Sequence, residues 1–202
     1  MNEELVATLI TMGVLKTPRI IEEFQAIDRA HFVPEYLQRH AYANTALPIG
    51  LGQTISQPYT VAFMLELLQP MPGQKILDLG SGSGWSTALL AHIAGEKGYV
   101  IGVELLEEIA LFGEHNLRKY NFPHAEIRVA TDELGAGDKA PFDRILASAA
   151  AHEVPQQLID QLRVTGILVM PVASSIVRVK KRKNKQIVVE RYEGFAFVPL
   201  KY

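Results

Sequence analysis

The segment from residue 75 to residue 85 constrains the fold most, because an apolar strand runs directly into a glycine-rich turn and then into a helix. Gly80, Gly82 and Gly84 remove three side chains, so the turn can adopt positive φ angles and a ligand can approach the main chain. The spacing is G-x-G-x-G, which differs from the dinucleotide pattern G-x-G-x-x-G and from phosphate loops that end in Gly-Lys-Ser/Thr. Glu104 closes the next predicted strand, where a carboxylate can accept hydrogen bonds from both ribose hydroxyls. Together these features predict a site for S-adenosylmethionine.

Glycines also end strands and open helices for structural reasons, so the triplet alone does not separate a packing role from a binding role. The order of elements favours binding. A strand, the glycine turn, a helix, a second strand and a terminal acid follow one another within a single βαβ length.

The rest of the chain continues this alternation of strand and helix. The pattern predicts an α/β fold with a mostly parallel, doubly wound sheet. After residue 171 the pattern changes, and 175–181 with 186–192, followed by 195–200, predicts an antiparallel C-terminal hairpin that finishes the sheet. The predicted parallel strands are 75–79, 99–103, 127–130, 144–147 and 167–172, and the predicted helices between them are 87–94, 107–120 and 155–162.

The residues ahead of the sheet predict further helices around an irregular segment. Thr17 before Pro18 is typical of a helix cap and first turn. Residues 32–42 are expected to form a turn of helix and a loop. Residues 47–58 show no core-facing periodicity, which favours a loop with a function. The helices predicted here are 5–12, 18–27 and 58–68.

The length of the chain limits the number of domains, and its net charge limits the kinds of partner that it can attract. At 202 residues and 48% hydrophobic content, the chain fits one domain with a buried core. Within it, residues 1–73 supply N-terminal helices and a substrate loop, and residues 74–202 supply the sheet core. The formal net charge of -2 provides no global field for nucleic acid or an anionic membrane.

Residue usage also limits the chemistry and the compartment. The chain has no cysteine, which excludes disulfides, thiolate metal sites and cysteine nucleophiles. Its six histidines lack ligand-type spacing, so no metal site is predicted. The acidic start carries no secretory signal and no apolar run approaches the length of a membrane span. A soluble, cytoplasmic protein is expected.

Ser56 is the candidate for chemistry in the 47–58 segment. The helix that follows this segment would place residues 53–56 near the carboxyl edge of the sheet, where open α/β sheets bind ligands. Methyl transfer to a carboxylate needs positioning and desolvation but no strong base, and a hydroxyl can orient the acceptor. Ser56 taken alone is more economically explained as the cap of the following helix. A hydrolase nucleophile is not indicated, because Gly-x-Ser-x-Gly is absent.

A dense basic cluster occupies residues 178–185, and two interpretations are open. A charged hairpin turn that keeps an edge strand soluble is the more economical one. The other is a surface for anionic partners, which would favour nucleic-acid modification and predicts binding of RNA or DNA.

Several motifs follow one another in a distinctive order. Residues 46–58 read ALPIGLGQTISQP, the glycine turn follows at 76–85, and Ala140-Pro141-Phe142-Asp143 precedes the fourth strand. Shorter motifs continue at 154–155, 161–162, 169–172 and 197–200. Over almost the whole chain this series resembles the protein-L-isoaspartate (D-aspartate) O-methyltransferases, and the Gln-Thr-Ile-Ser loop is far more specific than the glycines.

The resemblance implies a Rossmann-like class I methyltransferase fold whose last two strands are exchanged relative to the usual class. It implies that S-adenosylmethionine donates a methyl group to the α-carboxyl of L-isoaspartyl residues in damaged proteins and peptides, leaving S-adenosylhomocysteine. The ester then collapses to a succinimide, and hydrolysis returns part of the chain to aspartate. Isoaspartyl proteins and peptides are the expected partners of a monomer, with nucleic acid and membrane unexpected.

The resemblance also assigns roles to residues. Ser56 matches the active-site serine, and Gln53, Thr54 and Ile55 form the matching substrate loop. The residues expected to bind the cofactor are Asp78, Gly80, Ser81, Gly82, Gly84, Glu104, Leu105, Thr131 and Asp132.

The segment after the third strand departs from the family pattern. Where the family has Gly-Asp-Gly to clamp the adenine, this chain has Ala130, Thr131 and Asp132. Thr131 would be a weaker acceptor for the adenine amino group, and Asp132 replaces the missing acid if the loop shifts by one residue. A second departure is Asn44, where many bacterial relatives place Asp. Two alternative functions therefore stay open. The chain could be a homologue that methylates another carboxyl acceptor, or a non-catalytic binding protein that has lost the adenine-binding motif.

Overall fold

The computed structural model describes residues 2–200 and shows a central sheet, flanking helices and a separate small hairpin. Short 3₁₀ helices connect some of these elements at Arg29–Phe32, Glu35–His40 and Gly137–Lys139. The α-helices are α1 (Asn2–Thr11), α2 (Pro18–Ala26), α3 (Pro58–Leu68), α4 (Trp85–Ala94), α5 (Glu107–Arg118) and α6 (Gln156–Gln161). The strands are β1 (Leu47–Gly50), β2 (Gln53–Ile55), β3 (Lys75–Leu79), β4 (Tyr99–Glu104), β5 (Ala125–Val129), β6 (Phe142–Ala147), β7 (Leu162–Val172), β8 (Ser175–Lys181) and β9 (Ile187–Glu193).

Among the described residues, seven strands form the central sheet in the order β5-β4-β3-β6-β7-β8-β9. The first five are parallel, β8 is antiparallel to β7, and β9 is antiparallel to β8. The predicted parallel sheet with an antiparallel C-terminal hairpin is confirmed. The last two strands lie in chain order beside β7, which is the exchanged order that the resemblance implies.

The central strands of the sheet are buried on both faces, which explains why they are almost continuously apolar. In β3, Ile76 belongs to the cluster formed with α1 to α5, whereas Leu77 and Leu79 belong to a second cluster with Leu158 of α6. Neighbouring side chains of a strand point to opposite faces, so one short strand anchors both layers. Because β3 and β4 are parallel neighbours, their carboxyl ends lie at the same edge of the sheet.

The 47–58 segment is not the irregular loop that the sequence predicts. β1 and β2 pair as an antiparallel hairpin, with Leu47 opposite Ile55 and both side chains buried. Leu51 and Gly52 at its tip have φ values of 50° and 72°, as in the primed turns that suit hairpins. The register shift between Pro48 and Gly50 interrupts the alternation, which hid the hairpin from a periodicity argument.

The 195–200 segment also differs from the prediction, because it is not a further paired strand of the sheet. It runs beside the segment that follows β6, where Ala150 N–H donates to Val198 O (2.8 Å) and Leu200 N–H donates to Ala150 O (2.8 Å). The apolar pattern of this segment is typical of a strand, but the segment lies over the end of the sheet and does not extend it.

Smaller observations concern the N-terminal region and the length of the helices. Thr17 occupies the N-cap position of α2 ahead of Pro18, as predicted, but its side chain makes no capping hydrogen bond. Instead its hydroxyl and its N–H donate to the Glu66 carboxylate, at 2.6 and 2.7 Å. Residues 32–42 contain the second 3₁₀ helix and the turn that follows it, which agrees with the expected turn of helix and loop. Between residues 2 and 200, no helix is long and apolar enough to cross a membrane.

Candidate active site

A cavity of about 1090 Å³ opens at the carboxyl ends of β3 and β4. Ligand pockets commonly occupy about 300–1000 Å³, so this one has space for more than a nucleoside-sized molecule. Open α/β sheets bind ligands at this edge, as the sequence predicts. The wall combines distant parts of the chain, chiefly residues 51–57, 79–83, 103–106, 130–135 and 196–200.

The glycine turn presents main chain to this cavity. Gly80 and Gly82 have φ values of 75° and 53°, which only glycine adopts readily. A Cβ on Gly80 would make ordinary van der Waals contacts with Ser148 and Ala149 at 3.9 Å, so the positive φ, and not a lack of space, favours glycine there. The turn is tied to β4, because the N–H groups of Gly80 and Ser81 donate to Val103 O at 2.7 and 3.2 Å.

Glu104 lies on the cavity wall at the end of β4, as predicted, and is 8% exposed. Its Oε2 accepts from Gly82 N–H (3.0 Å) and its Oε1 accepts from Leu106 N–H (3.2 Å). Each carboxylate oxygen keeps acceptor capacity for a ligand. Leu105 beside it is 44% exposed and also lines the cavity.

Gly84 was expected to bind cofactor but is not on the cavity wall. A Cβ on Gly84 would stand 2.7 Å from Gly113 O of α5, and one on Gly113 would stand 2.6 Å from Gly82 O. Gly84 therefore lets α5 approach the turn, and Gly113 is its counterpart. Sequence reasoning missed Gly113, although an isolated glycine in a helical pattern is a signal of such packing.

We predict that Gly113→Ala lowers the free energy of unfolding by about 1–3 kcal/mol, because overpacking outweighs the better helix propensity of alanine. The variant should also weaken binding of S-adenosylhomocysteine, since Gly82 must move. Urea unfolding and calorimetry measure the two effects. The control is His115→Ala on an exposed position of α5, and a stabilised Gly113→Ala protein would contradict the packing argument.

Asp78 was also expected to bind cofactor, yet it is fully buried and does not line the cavity. Its Oδ2 accepts from the hydroxyls of Ser86 (2.7 Å) and Thr87 (2.6 Å) in the first turn of α4. Asp78 thus fixes the helix that follows the glycine turn. Burial raises the pKa of its carboxyl to about 6, against the opposing effect of the two hydroxyls.

The raised pKa of Asp78 predicts a pH-dependent stability. The folded state binds the extra proton between about pH 4 and pH 6, so ionisation of Asp78 lowers the unfolding free energy as pH rises through that window. The amide in Asp78→Asn does not titrate, so the variant does not lose stability in this window as wild type does. The unfolding free energy of the variant minus that of wild type should therefore rise by about 2–3 kcal/mol from pH 4 to pH 7. Denaturant unfolding across that range measures it, with exposed Asp160→Asn as control. A difference that does not vary with pH would refute the prediction.

The segment expected to clamp the adenine lies on the cavity wall. Thr131 and Asp132 are both exposed there, and the Thr131 hydroxyl accepts from Glu133 N–H at 3.3 Å. Asp132 makes no hydrogen bond within residues 2–200, so its carboxylate keeps its full acceptor capacity. Gln161 of α6 fixes the far end of the loop by donating to Leu134 O at 2.8 Å.

The structure places Ser56 on the cavity wall with Gln53, Thr54 and Ile55. Its hydroxyl has no hydrogen-bond partner in the described part of the chain. The interpretation of Ser56 as a helix cap is wrong, because the cap position of α3 is Gln57. Instead, the side-chain Oδ1 of Asn44 accepts from Tyr59 N–H (2.9 Å) in the first turn.

Arg29 is a residue near the site that sequence reasoning missed. Its side chain is fully buried, and burial lowers the pKa of the guanidinium to about 10. The guanidinium group lies 5.2 Å from the ring centroid of Trp85, which lines the cavity. It donates to the carbonyl oxygens of Ala41 (2.5 Å), Thr45 (3.0 Å) and Ser56 (3.1 Å).

Comparison with known proteins identifies the family. The family model described as protein-L-isoaspartate(D-aspartate) O-methyltransferase matches residues 1–202. The chain belongs to this methyltransferase family. A protein-L-isoaspartate O-methyltransferase of Methanopyrus kandleri is 40% identical over 98% of this chain and 90% of its own length. Another, of Yersinia enterocolitica, is 40% identical over 92% of this chain and 89% of its own.

Solved structures of the family share the architecture of this methyltransferase. A chain assigned as a protein-L-isoaspartate O-methyltransferase of Plasmodium falciparum, in complex with S-adenosyl-L-homocysteine, superposes with a TM-score of 0.85. It is 26% identical, and the match covers 99% of this chain and 98% of that one. A second protein-L-isoaspartate O-methyltransferase gives a TM-score of 0.89 at 24% identity, over 100% of this chain and 66% of that one. The Rossmann-like class I methyltransferase fold is thereby confirmed.

In the part of the chain that the structure describes, the side chains of this methyltransferase do not gather into a metal site. No group of three or more histidine and acidic residues within residues 2–200 is placed to hold an ion.

Proposed function

We propose that this protein transfers a methyl group from S-adenosylmethionine to the α-carboxyl of L-isoaspartyl residues in damaged proteins and peptides, and so acts in protein repair. One observation carries the proposal: a single cavity joins the Ser56 hydroxyl to the glycine turn and Glu104. A donor site and an acceptor site therefore share one cavity. The family match over residues 1–202 supports the same activity.

The residues present fit S-adenosylmethionine. The buried Ser81 hydroxyl on the cavity wall lacks a partner among the described residues, and Gly80 offers bare main chain beside it. Glu104 has acceptor capacity for the ribose hydroxyls. When bound, the cofactor supplies an electrophilic methyl group on a positively charged sulfur.

Asp132 is the side chain that we assign to the adenine amino group. The Thr131 hydroxyl already accepts from Glu133 N–H, whereas the Asp132 carboxylate is free to accept. A carboxylate is also the stronger acceptor for an amino group. Asp132, one residue after the position of the family's acid, thus supplies the carboxylate that Thr131 lacks.

Ser56 orients the acceptor. An isoaspartyl carboxylate is ionised near neutral pH, so the protein needs no general base to activate it. The Ser56 hydroxyl donates a hydrogen bond to one carboxylate oxygen and leaves the other directed at the methyl group. Residues 53–55 cover the acceptor and exclude water, which strengthens the attraction between the anion and the cofactor.

Incubation with labelled S-adenosylmethionine and an isoaspartyl peptide tests the function. Base-labile label should enter the isoaspartyl peptide and not the matched aspartyl peptide. Equal labelling of the two would favour a different carboxyl acceptor. A protein that binds no S-adenosylhomocysteine by calorimetry would instead be the non-catalytic alternative.

Other features stay predictions from the sequence. A cytoplasmic location, a monomeric state and the lack of nucleic-acid binding belong to this group. For the basic cluster, Arg178 and Lys180 both bind Glu190 across the hairpin, which favours its structural interpretation.

A further inference from the structure

The hairpin segment, defined here as residues 45–56, is held at both ends by one side chain. Thr45 precedes β1 and Ser56 follows β2, and the guanidinium of Arg29 donates to the carbonyl oxygen of each. The planar guanidinium offers several N–H donors in a fixed geometry, so it fixes the two carbonyls relative to one another. A lysine ammonium would not impose this spacing.

Arg29 carries its charge into the interior without a carboxylate, since none lies within ion-pair distance of it in residues 2–200. A buried cation is stable only where dipoles replace its hydration. Here the dipoles are the main-chain carbonyls of Ala41, Ala43, Thr45 and Ser56, and the guanidinium also lies over the Trp85 ring. Displacing the hairpin segment would remove two of these carbonyl partners, Thr45 O and Ser56 O, from a buried cation, and that loss opposes the displacement.

The same side chain connects the two halves of the site. Trp85 is the first residue of α4 and follows the glycine turn directly, while Ser56 lies at the end of the hairpin segment. Arg29 contacts both but is itself absent from the cavity wall. It can therefore influence the reaction only through the residues that it holds.

We propose that Arg29 is a positioning residue for methyl transfer, which fixes the hairpin segment against Trp85 and so places the Ser56 hydroxyl at the acceptor carboxylate. This inference rests on the proposed function of the cavity. Substitution of Arg29 should therefore lower kcat for the acceptor and change the affinity for the cofactor little.

The first test compares Arg29→Lys and Arg29→Met with a matched control. Arg144 is a partly buried arginine that also donates to main-chain carbonyls, those of Leu68 (2.8 Å) and Asp143 (2.8 Å), and it lies off the cavity wall. We expect kcat for an isoaspartyl peptide to fall about 100-fold in Arg29→Met and less in Arg29→Lys, with the Kd of S-adenosylhomocysteine within threefold of wild type. Arg144→Met should lose stability but keep kcat at a temperature where all variants are folded. Equal losses of kcat in the Arg29 and Arg144 variants would overturn the inference.

The second test asks whether Arg29 acts through Ser56. In a double-mutant cycle, Arg29→Lys should lower kcat much less in a Ser56→Ala background than in wild type, because the hydroxyl that it positions is already gone. The same fold-loss in both backgrounds would show that Arg29 acts independently of Ser56 and would overturn the inference.

Hydrogen exchange provides a readout without turnover. Amides of residues 53–56 should exchange faster in Arg29→Lys, while those of the glycine turn keep the wild-type rate. Unchanged exchange at 53–56 would refute the anchoring role. A wild-type protein that fails to methylate an isoaspartyl peptide refutes the proposed function separately, and the exchange result still decides whether Arg29 holds the segment.

Discussion

Ser56→Ala should lower kcat for an isoaspartyl peptide by about 100-fold and leave the Kd of S-adenosylhomocysteine within about twofold of wild type. The hydroxyl lies on the cavity wall without a hydrogen-bond partner in the described chain, so its removal breaks no contact within the protein. The loss therefore reports the interaction with the acceptor. Steady-state kinetics with labelled S-adenosylmethionine and calorimetry with S-adenosylhomocysteine measure the two quantities.

The matched control is Ser174→Ala, which removes an exposed hydroxyl away from the cavity wall. It should retain wild-type kcat and wild-type stability. If Ser56→Ala also turned over at the wild-type rate, Ser56 would have no part in orienting the acceptor. Weakened cofactor binding in Ser56→Ala would place the hydroxyl at the donor side of the cavity instead.

Glu104→Ala should weaken binding of S-adenosylhomocysteine about 100-fold. Two hydrogen bonds from ribose hydroxyls to a carboxylate contribute about 1.5 kcal/mol each, and their sum corresponds to about two decades in Kd. The substitution also frees the N–H groups of Gly82 and Leu106, which loosens the glycine turn itself. Calorimetry with S-adenosylhomocysteine measures the Kd directly.

Two further variants separate these contributions. Glu107→Ala removes an exposed acid in the first turn of α5 and should not change the Kd. Glu104→Gln keeps one acceptor oxygen but sets an amide N–H₂ against the main-chain donors, so it should bind between wild type and Glu104→Ala. A Kd for Glu104→Ala within threefold of wild type would remove Glu104 from the ribose site.

Local patterns were sufficient to predict the scaffold. The bounds of β3 and of α3 agree with the prediction, because each is a short apolar run closed by proline or glycine. The position of Glu104 at the cavity follows from a rule of topology, since parallel strands present their carboxyl ends at one edge. These features depend on a residue and its close neighbours in sequence.

The remaining features depend on partners that are distant in sequence. Arginine is seldom fully buried, so nothing in the sequence around Arg29 indicates that its carbonyl partners extend to Ser56. Likewise, residues 196–200 line the cavity where Ala150 forms hydrogen bonds with Val198 and Leu200. Asp78 and Gly84 belong to the expected motif, yet the packing of α4 and α5 decides that they support the turn from behind the wall.

The anchoring of Arg29 by carbonyl oxygens also determines how the protein responds to its medium. Counterions screen attractions between charges at the surface over about 10 Å at 0.1 M ionic strength, but they have little access to a cation inside the protein. The Arg29 guanidinium is fully buried and its partners are uncharged dipoles. The geometry of the methyl-acceptor region should therefore be nearly independent of ionic strength, even in concentrated electrolyte.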